Sequence, residues 1–127
     1  MTHETFVVDG LPKPGGAYSH VTAGAGLVFT AGFGPHDPET GAVPEGIEAQ
    51  TEATLGNVAR ALAGVGLGLG DVLKVTVHLA ELRRDFAAFN EVYARTLPPP
   101  HPVRTTVGSQ LLGFLVEVDV VATAGER

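Results

Sequence analysis

One arginine stands apart in this 127-residue chain: Arg104 lies in the otherwise uncharged stretch 102–107, shortly before a run at 114–122 that carries Glu117 and Asp119. Both stretches read as β-strands, whose side chains alternate between faces. Arg104, Thr106 and Gly108 therefore share one face, and Glu117 and Asp119 share one face of the next strand. With those faces coinciding, a cation stands opposite a carboxylate pair. Arginine grips a carboxylate through two parallel hydrogen bonds, which fixes its position and its plane. A carboxylate within reach of a water orients it and accepts its proton. The chemistry on offer is a small-carboxylate site with a hydrolytic option, with Tyr18 as a further polar member. A structural ion pair is the commoner meaning of an arginine with acidic neighbours, and the residues alone leave both readings open.

Other chemistries find less support. The five histidines, His3, His20, His36, His78 and His101, show no metal-ligand spacing. His36-Asp37 reads as a turn. With no cysteine, disulfides, thiolate catalysis and cysteine-ligated metals are excluded. Gly66, Gly68 and Gly70 follow a helix instead of opening one, so no phosphate loop is expected. Ser19 and Ser109 carry no elbow motif. Net charge is −6 and the eight basic residues, from Lys13 to Arg127, are scattered, a poor footprint for nucleic acid. The N-terminus lacks the apolar run of a signal peptide, and no stretch approaches the roughly 20 apolar residues of a membrane span. These features predict a soluble, cytoplasmic protein.

The elements that must position the site follow from periodicity. A length of 127 residues fits one domain, 1–127. Residues 5–8 read as an edge strand stopped by Asp9-Gly10, and 17–22 and 27–33 as a hairpin around Ala23-Gly24-Ala25-Gly26. Three prolines make 34–46 a long loop. Ile47, Thr51, Leu55, Val58, Leu62 and Val65 form the stripe of an amphipathic helix, with Gly56 inside it suggesting close packing. Leu73, Val75, Val77 and Leu79 alternate with polar residues, the pattern of a strand buried on one side. A second helix over 82–97 carries Phe86, Phe89, Tyr93 and Leu97 on its stripe and stops at three prolines. Asn90, beside that stripe, reads first as a bond to a neighbouring loop. The strands at 103–107 and 114–122 complete an α+β layer, a mixed six-stranded sheet with two helices on one face. The opposite face, with Lys74, Thr76, His78, Glu117 and Asp119, is too polar for a core and suits a subunit interface.

Beyond periodicity, the sequence resembles the RidA/YjgF family, often labelled endoribonuclease L-PSP. The motifs span nearly the whole chain: Gly16-Ala-Tyr18-Ser19, Thr30-Ala-Gly32, Pro38-Glu-Thr-Gly41 with Val43-Pro44, Gln50 to Asn57-Val58, and Gly70-Asp71-Val72 with Lys74-Val-Thr76-Val77. Phe89-Asn90-Glu-Val-Tyr93, Pro102-Val-Arg104-Thr-Thr-Val107 and Val116-Glu117-Val-Asp119 continue it. The resemblance implies a chorismate-mutase-like subunit in a homotrimer with sites between subunits. It also implies a cofactor-free and metal-free deaminase that hydrolyses 2-aminoacrylate or its imine to a 2-oxo acid and ammonia.

Carried over by position, Arg104 clamps the substrate carboxylate with help from the Gly32 backbone, and the Thr106 backbone lies beside the imine. Tyr18 closes the pocket, Asn90 lies near it, and Asp119 takes the place of the glutamate that holds the attacking water. The departures are specific. Asp119 is one methylene shorter than that glutamate, with Glu117 on the same face as an auxiliary candidate. Ala31 replaces a common serine, Phe33 a glutamine and His20 another glutamine, while Thr106 stands where cysteine is frequent. They mark a divergent branch and keep two rivals in play: a trimeric small-carboxylate-binding or chaperone-like protein, and the ribonuclease of the common label.

Overall fold

The computed structural model describes residues 2–124; Met1 and Arg127, which entered the charge and N-terminal readings, lie outside the described residues. Six strands and two helices follow in order: β1 (Glu4–Phe6), β2 (Val21–Gly24), β3 (Leu27–Thr30), α1 (Ile47–Ala63), β4 (Val72–Leu79), α2 (Leu82–Thr96), β5 (Val103–Gly108) and β6 (Val116–Thr123). They build one sheet in the order β1-β2-β3-β6-β4-β5, so β1 and β5 are its edges. Every pairing is antiparallel except β4 with β5, which α2 connects as a parallel crossover. The α+β architecture expected from the sequence is the one observed. No helix among the described residues is long and apolar enough to cross a membrane.

Both helices cover the same sheet face. Leu55, Val58 and Leu62 of α1 and Phe89 and Tyr93 of α2 share one core there with Val75, Val77 and Leu79 of β4 and Val116, Val118 and Val120 of β6. Each large apolar side chain fully buried in this way contributes about 1.5–3 kcal/mol. The stripe of α2 differs from expectation at one position: Phe86 is 41% exposed, and Val92 is buried instead. Leu73 differs as well. It is 47% exposed because the β4–β6 register shifts between Val72 and Lys74, and this irregularity buries Val72 in its stead.

The first hairpin turns on two residues, Ala25 (φ 55) and Gly26 (φ 79), within the expected tetrapeptide. Two positive φ values suit the right-handed twist of the flanking strands. The strands around it are shorter than their apolar runs. β3 stops at Thr30 because pairing with β6 slips there by one residue: Phe29 lies opposite Val121, whereas Phe33 bridges Val118. Within this bulge the Val120 N–H donates to Thr30 Oγ1 at 3.0 Å, and the Ala31 N–H donates to the His20 carbonyl. Residues 34–46 form the expected loop. Asn57 Nδ2 ties it to α1 by donating to the Gly34 and His36 carbonyls, each at 3.0 Å. Gln50 Nε2 holds its far end at the Pro44 carbonyl, 2.9 Å away.

Close packing is absent at Gly56, contrary to expectation, and present at Gly64. A Cβ on Gly56 would meet only Arg60 Nη1, at 3.8 Å, whereas one on Gly64 would fall 2.6 Å from Val8 Cγ1. Gly56→Ala is therefore expected to stabilise the protein by about 0.5–1 kcal/mol, the helix-interior cost of glycine. Gly64→Ala is expected to destabilise it by forcing the Val8 segment outward. Urea unfolding of the two variants checks the opposite signs.

Candidate functional site

The register of β5 decides where Arg104 goes. Arg104 lies opposite Val75, and Thr106 opposite Val77, so both belong to the helix-covered face. Glu117 and Asp119 alternate with the buried Val116, Val118 and Val120 and lie opposite His78 and Thr76, on the uncovered face. The coincidence of faces entertained from the sequence does not occur within one chain. Nor does the structural ion pair, since no salt bridge joins Arg104 to either carboxylate among the described residues. The reason is that strand alternation gives parity within a strand, while the relation between strands depends on pairing.

At the β5 edge Arg104 is held by aromatic faces and one amide. Its guanidinium carbon lies 4.6 Å from the Tyr93 ring centroid, 5.4 Å from Phe89 and 6.0 Å from Phe86. Nη2 donates to Asn90 Oδ1 at 2.7 Å. Asn90 thus serves the arginine and not a loop, and the exposed Phe86 forms part of its seat. The remaining guanidinium donors have no partner among the described residues. They border a depression of about 360 Å³ lined by Asn90, Tyr93, Ala94, His101, Pro102 and Arg104.

A second depression, of about 470 Å³, lies on the other side of the molecule. Tyr18, His20, Ala31, Gly32 and Glu117 line it among others. Tyr18 is exposed, and its hydroxyl accepts the Gly15 N–H at 2.9 Å, which leaves the phenolic hydrogen to a ligand. His20 is fully buried: its Nδ1 accepts the Val8 N–H at 2.9 Å and its Nε2 lies 2.7 Å from the Pro12 carbonyl. Those partners fix the Nε2–H tautomer and make His20 a strut for the loop behind Tyr18. Gly32 lies under the Glu117 carboxylate so closely that a Cβ would fall 2.7 Å from Oε2. Ala31 itself brings no hydroxyl to this wall, which Ser19, Thr22 and Thr30 also line.

Asp119 stands between the two regions on the open sheet face. Burial pushes its carboxyl above the ordinary carboxylate value, and the nearby His78 and Lys74 partly offset that. Lys74 Nζ donates to Thr105 Oγ1 at 2.6 Å, and His78 Nδ1 lies 2.7 Å from Ser109 Oγ. The His78–Ser109 pair, 31 residues apart in sequence, has no local motif that would have revealed it. Among the described residues no group of three or more His, Cys, Asp or Glu is placed to hold a metal ion.

Residues 10–124 match the family described as endoribonuclease L-PSP. The chain belongs to that family, the RidA/YjgF proteins. A RutC family protein of Pyrococcus abyssi is 38% identical over 96% of this chain and 98% of its own. The chloroplastic Reactive Intermediate Deaminase A of Arabidopsis thaliana is 37% identical over 94% of this chain and 65% of its longer sequence. Escherichia coli TdcF, solved with bound serine, superposes with a TM-score of 0.88 at 30% identity, covering 94% of this chain and 98% of that one. The fold is thus the RidA/YjgF fold, and reactive intermediate deaminases are among its members.

Within this RidA/YjgF chain the expected site residues fall into two sets. Tyr18, Ala31, Gly32 and Glu117 come together around one depression, and Arg104 and Asn90 around the other, with Thr106 two residues further along the face of Arg104. Asp119 lines neither. The raised carboxyl of Asp119 makes a pH prediction. A folded-state value above the unfolded one means that the folded chain binds the proton more tightly. The stability contribution of Asp119 therefore falls as pH rises from the ordinary value of 3.8 through the folded value, and is level beyond it. Asp119→Asn should lack this fall. Urea unfolding of both proteins across acidic to neutral pH should show the wild type losing ground to the variant through that window.

Proposed function

We propose that this chain is an enamine/imine deaminase that hydrolyses small 2-imino acids, of the 2-aminoacrylate and 2-iminopropionate type, to 2-oxo acids and ammonia. The proposed setting is cytoplasmic, without cofactor or metal, in a homotrimer whose sites lie between subunits. The observation that carries the reading is the division of the site. In a 2-imino acid the carboxyl carbon and the imine carbon are bonded neighbours, so a clamp and a water-holding carboxylate must approach within a few ångströms of each other. In one chain Arg104 lies on β5, two strands from Glu117 on β6 in the order β6-β4-β5, and on the opposite face of the sheet. Two strand spacings amount to ~10 Å, with the sheet itself between the two groups. Two copies, one presenting Arg104 and the other the wall of Tyr18, Gly32 and Glu117, bring the halves together.

Each half has the equipment for its part. Arg104, seated on three rings and bound by Asn90, keeps donors for a carboxylate. Gly32 has no hydrogen bond to its N–H among the described residues, so it is a second donor to the same group. The relatives named as reactive intermediate deaminases, and TdcF with its bound α-carboxylate ligand serine, support this substrate class. One observation favours the rival binding-protein reading: the shortened Asp119 resists ionisation. The scattered basic residues and net charge of −6 argue against RNA as substrate.

The test is ammonia release from 2-iminopropionate generated in place by an amino-acid oxidase. Wild type is expected to accelerate it, and Arg104→Ala to lose roughly 10- to 100-fold in kcat/KM, the worth of a charge-assisted hydrogen bond of about 1.5–3 kcal/mol. Saturable binding without turnover would establish the rival. The division between copies has its own signature. Arg104→Ala and Gly32→Ala chains, each at about a tenth of wild-type activity or less alone, should rise to about a quarter of it when refolded together in equal amounts, because random assembly gives that share of intact sites.

A further inference from the structure

We infer that the cleft between α1 and the 34–46 loop is a second binding site, which takes a free α-amino acid in its zwitterionic form with an apolar side chain. It shares no lining residue with either half of the proposed deaminase site and stands whether or not that reading holds. The cleft holds about 350 Å³, within the range of small-molecule sites. Pro35, Pro38 and Pro44 give it apolar walls, and Asp37, Glu52 and Arg60 bring charge to it.

Its shape is set before any ligand arrives. Asn57, buried in α1, holds the near end of the loop at the Gly34 and His36 carbonyls, and Gln50 holds the far end at the Pro44 carbonyl. Between these anchors Asp37 Oδ1 accepts the Glu39 N–H at 2.9 Å and the Thr40 N–H at 3.0 Å, and the Asp37 N–H donates to the Ala42 carbonyl at 2.9 Å. A loop tied at both ends and braced across its middle keeps the cleft open without an ordering cost on binding.

Gly56 is the residue that packing does not explain. Glycine is unfavourable in a helix interior, and no neighbour needs the space its missing side chain leaves, since an added Cβ would meet only Arg60 Nη1, at 3.8 Å. That space belongs to the cleft, which Gly56 lines. A ligand lying close against the helix backbone is the remaining use for it.

Arg60 is held over the same spot. Its Nη1 lies above Gly56 and donates to Asn57 Oδ1 at 3.0 Å, and its other donors have no partner among the described residues. Backbone N–H groups of Thr40 and Glu39 hold the Asp37 carboxyl below its ordinary value, with a smaller pull from Arg60. Yet no ion pair joins Arg60 to Asp37 or Glu52 among the described residues. Opposite charges that line one cleft without meeting are complementary to a ligand that carries both. The ligand carboxylate takes the free donors of Arg60 over Gly56, its ammonium faces Asp37 and Glu52, and its side chain lies along the prolines.

Titration of the full chain with L-leucine, followed by backbone amide NMR, tests the site. Saturable shifts are expected at Ala42, Gly56 and Arg60, with half-saturation at about 1 mM or below. Arg60→Gln should weaken binding roughly 10-fold or more, the worth of a charge-assisted hydrogen bond. Gly56→Leu, which keeps a helix former and fills the cleft, should abolish it. Leucinamide and isocaproate, which each lack one of the two charges, should bind at least about 10-fold more weakly than leucine, and Arg104→Ala should leave the leucine titration unchanged. Cleft amides that stay still at about 10 mM leucine overturn the site. So does leucine that binds Gly56→Leu as it binds wild type, or that is lost in Arg104→Ala and kept in Arg60→Gln. Leucinamide or isocaproate binding as tightly as leucine overturns the zwitterion. Every one of these readouts is a binding measurement, so absence of turnover on 2-iminopropionate bears on the deaminase reading alone.

Discussion

The parallel pairing of β5 with β4, in the register that sets Arg104 opposite Val75, is the constraint on which the rest of the site depends. It commits the arginine to the helix-covered face at a sheet edge, where a buried guanidinium would be costly without partners. Phe86, Phe89 and Tyr93 supply the π-faces and Asn90 the acceptor, all from α2, the crossover that makes a parallel pair possible. One helix therefore performs two tasks: it carries the chain from β4 to β5 and builds the seat of the arginine that β5 delivers. The exposure of Phe86 follows from this second task.

A second constraint is the single-residue slip between β3 and β6. It ends β3 at Thr30, turns the Ala31–Gly32 backbone toward the Glu117 side chain, and frees the Gly32 N–H from the ladder. Bulges commonly sit beside functional sites because they re-aim groups without breaking the sheet. Here the glycine serves through its lack of a Cβ, not through an unusual φ, since the group it accommodates is a carboxylate from the neighbouring strand.

Much of this was legible in the sequence. Element order, the fold class, the long loop, the helix stripes and the polar face of β4 and β6 follow from periodicity and breakers, and the motifs around Arg104 and Glu117 carry the family. What could not be read there depends on pairing. Whether Arg104 shares a face with Glu117 is decided by register across β4, a relation between residues far apart in sequence. The irregularity that exposes Leu73 and the slip that frees Gly32 are each one residue long and leave no mark in composition. Gly56 and Gly64 look alike in sequence, yet only Gly64 has Val8 against it. His20 could be noted as unusual, but its role as a strut between Val8 and Pro12 needs the fold.

The uncovered sheet face raises the same question as the divided site, and one arrangement answers both. Phe29, Val107 and Val103 are exposed on it beside Lys74, His78, Glu117 and Asp119, a mixture too apolar for a face meant only for water and too charged for a core. Covering it with a protein surface buries the apolar side chains, and the carboxylates then need partners or protons. Burial already pushes the Asp119 carboxyl above its ordinary value in the single chain, while Glu117 lines the pocket beside Gly32. The two acidic residues of β6, both half-buried, thus differ in surroundings: Asp119 lies beside Lys74 and His78, and Glu117 beside Gly32. On the proposed division of the site, a second copy of the chain is the economical cover, since it also brings the arginine that the pocket lacks.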